Sequence, residues 1–437
     1  MKTLLPLLLF FVVILQPVKA QDLLTLDEAI QIGLEQNYGV QLSQNRAEVA
    51  ENNRTLGNAG FFPQLDLSAT HSESVEDSDF EAGGESESTT GARSSFSSAG
   101  LNAEWTIFDG LRMFRTYDRL GELQQISDQE LRLEMELLVA NIIQSYYNIS
   151  RISEQVNVLQ NSVDVSQERV DIEEAKVDIG SGSEVELLQA KSDLNADRSA
   201  VLREINRLDE AKISLNELLS RSAVTDFTVR EDIPINRQLM REELHQQMMA
   251  ENSELLIART GETVADLELQ EIRGERYPEI ILSSGYTYDR SETAGGFIRF
   301  NETTGLSVGI TARVNIFDGF NTNRRVQNAK INRKNSRIEA EQRELSLDSE
   351  FMKLYRTYTN SINLVDLEED NLSNAEETLD IALERFRLGT ISALELREAQ
   401  RTFLTAESRL IEAKFEAKQA ETELLRLSGD FQSIAMD

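Results

Sequence analysis

The stretch Val314-Asn315-Ile316-Phe317-Asp318-Gly319 has an earlier counterpart, Trp105-Thr106-Ile107-Phe108-Asp109-Gly110, at an offset of 209 residues (316 − 107). Asp-Gly alone is an ordinary turn signal. Its surroundings give it weight. Before each copy the chain alternates apolar and polar; after each it runs for about 70 residues with helical periodicity. A switch from period 2 to period 3.6 means a strand feeding a long helix. The chain therefore reads as two such units in tandem.

The sequence has 437 residues, with 44 Lys+Arg against 76 Asp+Glu and a formal net charge of -32. Phosphate repels so acidic a surface, which argues against nucleic acid as a partner. No cysteine is present, so disulfides, thiolate metal sites, Cys nucleophiles and a lipid-modified N-terminal Cys are excluded. Five prolines and 22 glycines leave room for long unbroken elements. Residues 1–20 have the form of a signal peptide: Lys2, an apolar run from Leu4 to Leu15, and Val18-Lys19-Ala20 as a cleavage site. Later stretches fall short of the ~20 consecutive apolar residues of a transmembrane helix, so any membrane entry has to be made by strands.

In the first repeat (21–220), a helix with Asp27 as its cap is expected from about 27 to 56, stopped by Phe62-Pro63. Strands follow at about 63–71 and 98–108, separated by a Ser-, Gly- and acid-rich stretch that reads as a long exposed loop. On the second strand Leu101, Ala103, Trp105 and Ile107 share a face. The long helix 110–179 carries a seam of Leu131, Met135, Leu138, Ile142, Ser145, Ile149, Ile152, Val156, Leu159, Val163, Ser166, Val170, Glu173 and Val177, in strict 4-3 spacing. Such a sustained heptad predicts coiled-coil packing. A turn around Gly180 leads to a helix over 184–219. A linker (221–238) separates this from the second repeat (239–428). That repeat holds a helix to about 272, Tyr277-Pro278 as its stop, strands at about 278–288 and 304–317, a long helix 319–388, a turn at Gly389 and a helix 392–427, before a tail at 429–437. Asn252 answers Asn37 at an offset of 215 (252 − 37).

Two repeats give four strands per protomer, too few to close a barrel. Strands of ~10 residues with one apolar face suit a membrane. An open sheet edge in lipid leaves backbone groups unpaired, so the chain has to oligomerise. Three copies give twelve strands. The expected fold is mostly α with membrane β: a tandem repeat forming a long antiparallel α-helical coiled-coil barrel continuous with a trimeric 12-stranded β-barrel. Phe61, Phe62, Trp105, Phe108, Tyr277, Phe317 and Phe320 bracket the strands as an interfacial belt would.

The signal peptide, the tandem helix–Pro–strand–strand–Phe-Asp-Gly–helix–Gly–helix order and the turns Asp178-Ile179-Gly180-Ser181 and Arg387-Leu388-Gly389-Thr390 resemble the TolC-like outer membrane efflux proteins over nearly the whole mature chain. The resemblance implies a homotrimeric outer-membrane duct with a long periplasmic extension, exporting substrates in a tripartite efflux or type I secretion system. It also implies a periplasmic adaptor docked at hairpin tips Ile179, Gly180, Ser181, Leu388, Gly389 and Thr390, and an inner-membrane pump of RND, ABC or MFS type. It places Glu395, Glu398, Glu186 and Phe386 at the channel entrance. Glu395 and Glu398 lie three apart on one helical face off the seam, the arrangement of a cation-selective, pH-sensitive ring, and Phe386 is set to plug the opening.

An enzyme is not expected. His71 and His245 lack ligand-spaced partners, and neither a phosphate loop nor a nucleophile elbow is present. No cofactor and no metal are expected. The acidic run at 71–95 lacks the fixed spacing of an EF-hand. The alternative reading is a secreted or surface coiled-coil structural or adhesion protein, which explains the heptads but not the alternating strands.

Overall fold

The computed structural model describes residues 23–82, 84–294 and 298–430; the expected signal peptide at 1–20 and residues 431–437 of the tail lie outside them. The order is α1 (Leu26–Gln36), α2 (Tyr38–Asn53), β1 (Gln64–Ala82), β2 (Glu85–Phe108), α3 (Arg112–Asp178), α4 (Glu184–Leu218), α5 (Arg241–Glu251), α6 (Ser253–Gly274), β3 (Glu279–Thr293), β4 (Phe300–Arg313), α7 (Asn321–Arg387) and α8 (Ala393–Ser428). The chain divides into two compact units. One comprises Met1–Tyr38, Met135–Met248 and Glu350–Asp437, the other Gly39–Glu134 and Met249–Ser349.

The second of these units carries a four-stranded antiparallel sheet in the order β1-β2-β3-β4. Its register assembles the apolar alternation into one face. Leu67 pairs with Leu101, Leu101 with Tyr286, and Tyr286 with Leu306, and all four are exposed in the single chain. Val308, Ile310 and Ala312 extend the same face; Ser307, Gly309, Thr311 and Arg313 lie on the other, beside Gly285 and Asn102. One departure comes from a bulge between Thr106 and Phe108: Phe108, not Ile107, opposes Ile280. An extra residue in a strand switches faces from that point.

The expected loop at 71–98 is strand over 71–82 and 85–98. Pairing runs on from His71↔Ser97 to Ala82↔Glu85, with an irregularity between Glu76 and Ser78. Alternating Ser and Glu give no apolar signal, yet each added pair needs only backbone hydrogen bonds and a partner already in register. β4 in turn stops at Arg313, short of the expected 317.

Each Phe-Asp-Gly works as a strand-to-helix corner. Asp109 Oδ2 accepts from the Met113 amide at 2.9 Å; Asp318 Oδ2 accepts from the Thr322 amide and hydroxyl, both at 2.6 Å. The carboxylate thus satisfies helix-end N–H groups that have no partner within the helix. Gly110 and Gly319 turn the chain at φ 76° and 67°.

The other unit is helical. Leu138, Ile142, Ile149, Ile152, Val163, Ser166, Val170 and Glu173 of the α3 seam are buried, as are Phe351, Tyr358, Val365, Ala375, Leu379, Ala382 and Phe386 along α7. The expected first helix is capped by Thr25, not Asp27, in a capping box with Glu28, and it breaks at Asn37, whose ψ is 128°. In the sheet-bearing unit the matching helix of the second repeat breaks at Asn252, whose side chain accepts from the Leu255 amide at 3.0 Å. The linker 221–238 is packed: Phe227 and Ile233 are buried, and Tyr146 donates to Leu24 O and accepts from the Arg230 amide.

Candidate functional site: the two helical hairpin tips

At the first tip the Gly180 amide bonds Val177 O at 2.9 Å, and the Ser181 and Gly182 amides both reach Lys176 O at 2.9 Å. At the second, the Gly389 amide bonds Phe386 O at 3.0 Å and the Thr390 amide Arg385 O at 2.9 Å. These are αL helix ends, with Gly180 at φ 76° and Gly389 at φ 70°. Both glycines have open space where a Cβ would stand. Ile179 is 80% exposed and Leu388 75%. Apolar side chains at so open a turn gain nothing from the fold that holds them.

The acidic residues separate. Glu395 Oε2 accepts from the Ser392 amide at 2.8 Å and hydroxyl at 2.9 Å, while the Glu395 amide donates back to Ser392 Oγ at 3.3 Å. This closed capping box holds the Glu395 carboxyl below its ordinary range, first through the Ser392 amide. Glu395 is thus committed to the helix end. Glu398 is exposed and pairs with Arg401 at 3.0 Å. Glu186 is exposed; its N-cap Ser183 makes no side-chain cap bond. Phe386 departs from expectation. It is 1% exposed, packed with Leu379, Ala382, Leu396 and Ala399, with Lys176 Nζ 4.3 Å from its ring centre. An apolar ring on the α7 seam gains more from burial against α8 than from an aqueous opening, so within the protomer it is core and not a plug.

Sequence reasoning missed what joins the two hairpins. Arg397 of α8 makes a two-pronged bond to Asp197 of α4, at 2.8 and 2.9 Å. Ser166 of α3 donates to the same carboxylate at 2.5 Å, and Gln400 bonds Ser162 O at 2.9 Å. Nearer the tips Arg387 bonds Glu168 at 2.6 Å and Glu384 at 2.5 Å, and these carboxylates raise its pKa. The signal available was Ser166, one of three polar members of an otherwise apolar seam with Ser145 and Glu173; it is buried.

With sheet, corners and tips in place, the comparison with known proteins is decisive: the profile of the outer membrane efflux protein family matches residues 29–221 and 244–430. The chain belongs to that family. Its location is the outer membrane and its role is that of an efflux channel. The cation efflux system protein CusC of Escherichia coli is 22% identical over 337 residues, 76% of this chain and 72% of that protein. The pyoverdine export outer membrane protein OpmQ of Pseudomonas aeruginosa is 22% identical over 431 residues, 93% of this chain and 86% of that one. Among solved structures, the Campylobacter jejuni CmeC outer membrane channel matches with a TM-score of 0.77 at 16% identity, covering 92% of this chain and 85% of that chain. At such identities these structures show the shared fold.

Proposed function

We propose that three copies of this chain close into one duct, with β4 of each copy paired to β1 of the next. The carrying observation is a contrast between equivalent corners. A Cβ at Gly110 would meet Gly274 O at 2.2 Å, because that corner is seated against the C-terminal end of α6; a Cβ at Gly319 would meet only Asn321 Nδ2, at 3.8 Å. The sheet ends at β1 and β4, so Gly319 lies at an open edge, and Gly60, beside β1, is bare as well. The segments next to these edges carry matching exposed apolar residues at seven-residue spacing: Leu42 and Val49 of α2 with Leu56 in the turn beyond it on the β1 side, Ile331, Ile338 and Leu345 of α7 on the β4 side. A second copy that repeats the seated corner covers both.

On this reading the tips dock a periplasmic adaptor through Ile179, Gly180, Ser181, Leu388, Gly389 and Thr390, and an inner-membrane pump of RND, ABC or MFS type drives the substrate. The mouth's cation selectivity falls to Glu186 and Glu398, the two carboxylates not tied into a cap. The protein performs no catalysis.

Closure is tested by cross-linking, in a chain that has no native cysteine. The β2–β3 register pairs Ala103 with Ser284. Carrying both positions to the other repeat, by 209 forward and 215 back, pairs Ala312 with Ala69 of the next copy. Within one chain two strands separate these positions, roughly 14 Å across the sheet at the usual strand spacing. The register also carries Ala69 through Ala99 and Tyr288 to Thr304 and not to Ala312, so the two are too far apart for a disulfide. Ala69→Cys with Ala312→Cys should oxidise to a covalent trimer on denaturing gels. Monomer alone after oxidation rejects the closure.

A further inference from the structure

Residues 321–338 of α7 hold six cations (Arg324, Arg325, Lys330, Arg333, Lys334 and Arg337) and no carboxylate; the counterpart 112–129 in α3 holds three of each. Ion pairs within the fold account for part of the difference, Arg325 on Glu275 at 2.6 Å among them, while cations in the first turn of a helix, here Arg324 and Arg325, oppose its macrodipole. Four of these residues line a groove of about 650 Å³ together with Arg259, Glu262, Thr263 and Asp266 from α6, five cations against two carboxylates. Part of this charge is spent within the fold: Arg333 on Asp266 at 2.8 Å, Arg259 on Glu344 at 3.1 Å and Arg337 on Glu341 at 3.0 Å. Lys330 and Lys334 are exposed and have neither hydrogen bond nor ion pair among the described residues. They stand one helical turn apart on one face, an arrangement that is mildly repulsive without an anion.

The groove also has a definite depth. Lys330 is nine residues into α7, or ~14 Å along the axis. Just before the helix come Phe317 and Phe320, exposed and edge-to-face at 5.4 Å, the aromatic pair expected where strands leave the hydrocarbon. The leading cations Arg324 and Arg325 therefore meet the headgroup layer, and lysine stems reach back toward it. A planar arginine with two free ammonium groups suits a phosphate.

We propose that this groove binds the phosphate of an anionic phospholipid in the leaflet facing the periplasm, anchoring the second repeat of each protomer to the membrane on that side. The test uses the full chain in neutral detergent, native mass spectrometry, and phosphatidylglycerol or phosphatidylcholine as probe. Phosphatidylglycerol should be retained in preference to phosphatidylcholine and released by raised salt. Lys330→Gln with Lys334→Gln should weaken retention roughly tenfold or more, and Lys330→Arg with Lys334→Arg should restore it. The heat-resistant oligomer should survive in both variants, so failure here is separable from failure of the proposed closure. Equal retention of the two lipids, or of phosphatidylglycerol by wild type and the Gln variant, overturns the proposal. So does full displacement by soluble glycerol phosphate, which would make this a site for a free phosphate anion.

Discussion

Gly110 is pressed against the carbonyl of Gly274, while Gly319, in the same motif of the second repeat, faces open space. Identical corners need not have identical surroundings when a duplicated chain is unrolled into an open sheet. The inner corner finds its neighbour within the chain; the outer corner finds none. The helices repeat the lesson. α8 has eighteen buried residues where its counterpart α4 has six, so α4 is the face left for another surface. A tandem repeat that ends in one satisfied and one unsatisfied copy of each contact is an argument for rotational closure by further copies.

The contrast breaks most sharply at the glycines. Gly110→Ala forces a Cβ onto a backbone carbonyl and adds left-handed strain; overpacking costs about 1–3 kcal/mol and the strain another ~1–2 kcal/mol. Loss of the folded chain is expected, read as loss of cooperative melting. Gly319→Ala carries only the strain within the protomer, but in a closed ring it meets the next copy's corner. Its far-ultraviolet circular dichroism should stay that of wild type while the heat-resistant oligomer disappears. An oligomer unaffected by Gly319→Ala would show that the bare corner stays bare.

The sheet faces sharpen the same contrast in the lipid direction. Ile310 pairs with Leu282 on the apolar face and Thr311 with Ile281 on the opposite one. Lys at a lipid-facing midplane site costs about 2–4 kcal/mol, paid in every copy. Ile310→Lys should abolish the heat-resistant oligomer, and Thr311→Lys should leave most of it. Equal loss would mean the lumen is not on the Thr311 side.

These expectations trace to residues whose signals were dense. Strand-to-helix corners were legible because Phe-Asp-Gly concentrates a strand end, a cap and a left-handed turn in three positions. The β1–β2 hairpin beyond His71 was not, because Ser and Glu in alternation look the same in a loop and in a solvated strand. Asn37 and Asn252 were visible as repeat markers, yet their effect was missed: the Asn252 side-chain oxygen caps the next helix by accepting from the Leu255 amide, the Asn37 side-chain amide donates to Leu218 O at 2.9 Å, and each residue ends a helix that apolar spacing alone would carry through. Among the entrance residues, Glu395 and Phe386 were placed by resemblance, and local chemistry reassigned both. The Arg397–Asp197 bond spans 200 residues, beyond any local pattern.

A smaller effect separates the repeats at Glu407 of α8, whose counterpart in α4 is Arg198. Burial first, then Glu154 and Glu376, push its carboxyl above the ordinary range, and Oε2 has no hydrogen-bond partner. Glu154 of α3 is raised too, by burial and then by Glu231 and Asp232, with Lys414 opposing. For an acid whose folded pKa is raised, stability falls as pH climbs from the ordinary glutamate value through the folded one. Glu407→Gln should therefore flatten that decline and raise the melting temperature at neutral pH by a few degrees. A variant that melts lower than wild type at pH 7.5 would contradict the burial argument.

The smallest effect lies at the tips, where the repeats differ in a single box. Ser392 and Glu395 cap each other; their counterparts Ser183 and Glu186 stand at the same spacing, with no side-chain cap bond from Ser183. Glu395→Ala removes an acceptor from two donors at once, so the first turn of α8 should fray. Because the Glu395 carboxyl is held below its ordinary pKa, its contribution is complete above the ordinary glutamate value and is lost as pH falls through the folded one. Hydrogen exchange of the amides at 393–396 should therefore accelerate in wild type between pH 5 and pH 3, after correction for intrinsic rates. In Glu395→Ala it should be fast at both. Glu186→Ala should leave exchange at 184–187 unchanged at either pH and instead reduce cation selectivity in planar bilayers, the property expected of a carboxylate that no cap has claimed. Reduced selectivity in Glu395→Ala with none in Glu186→Ala would reverse the two assignments.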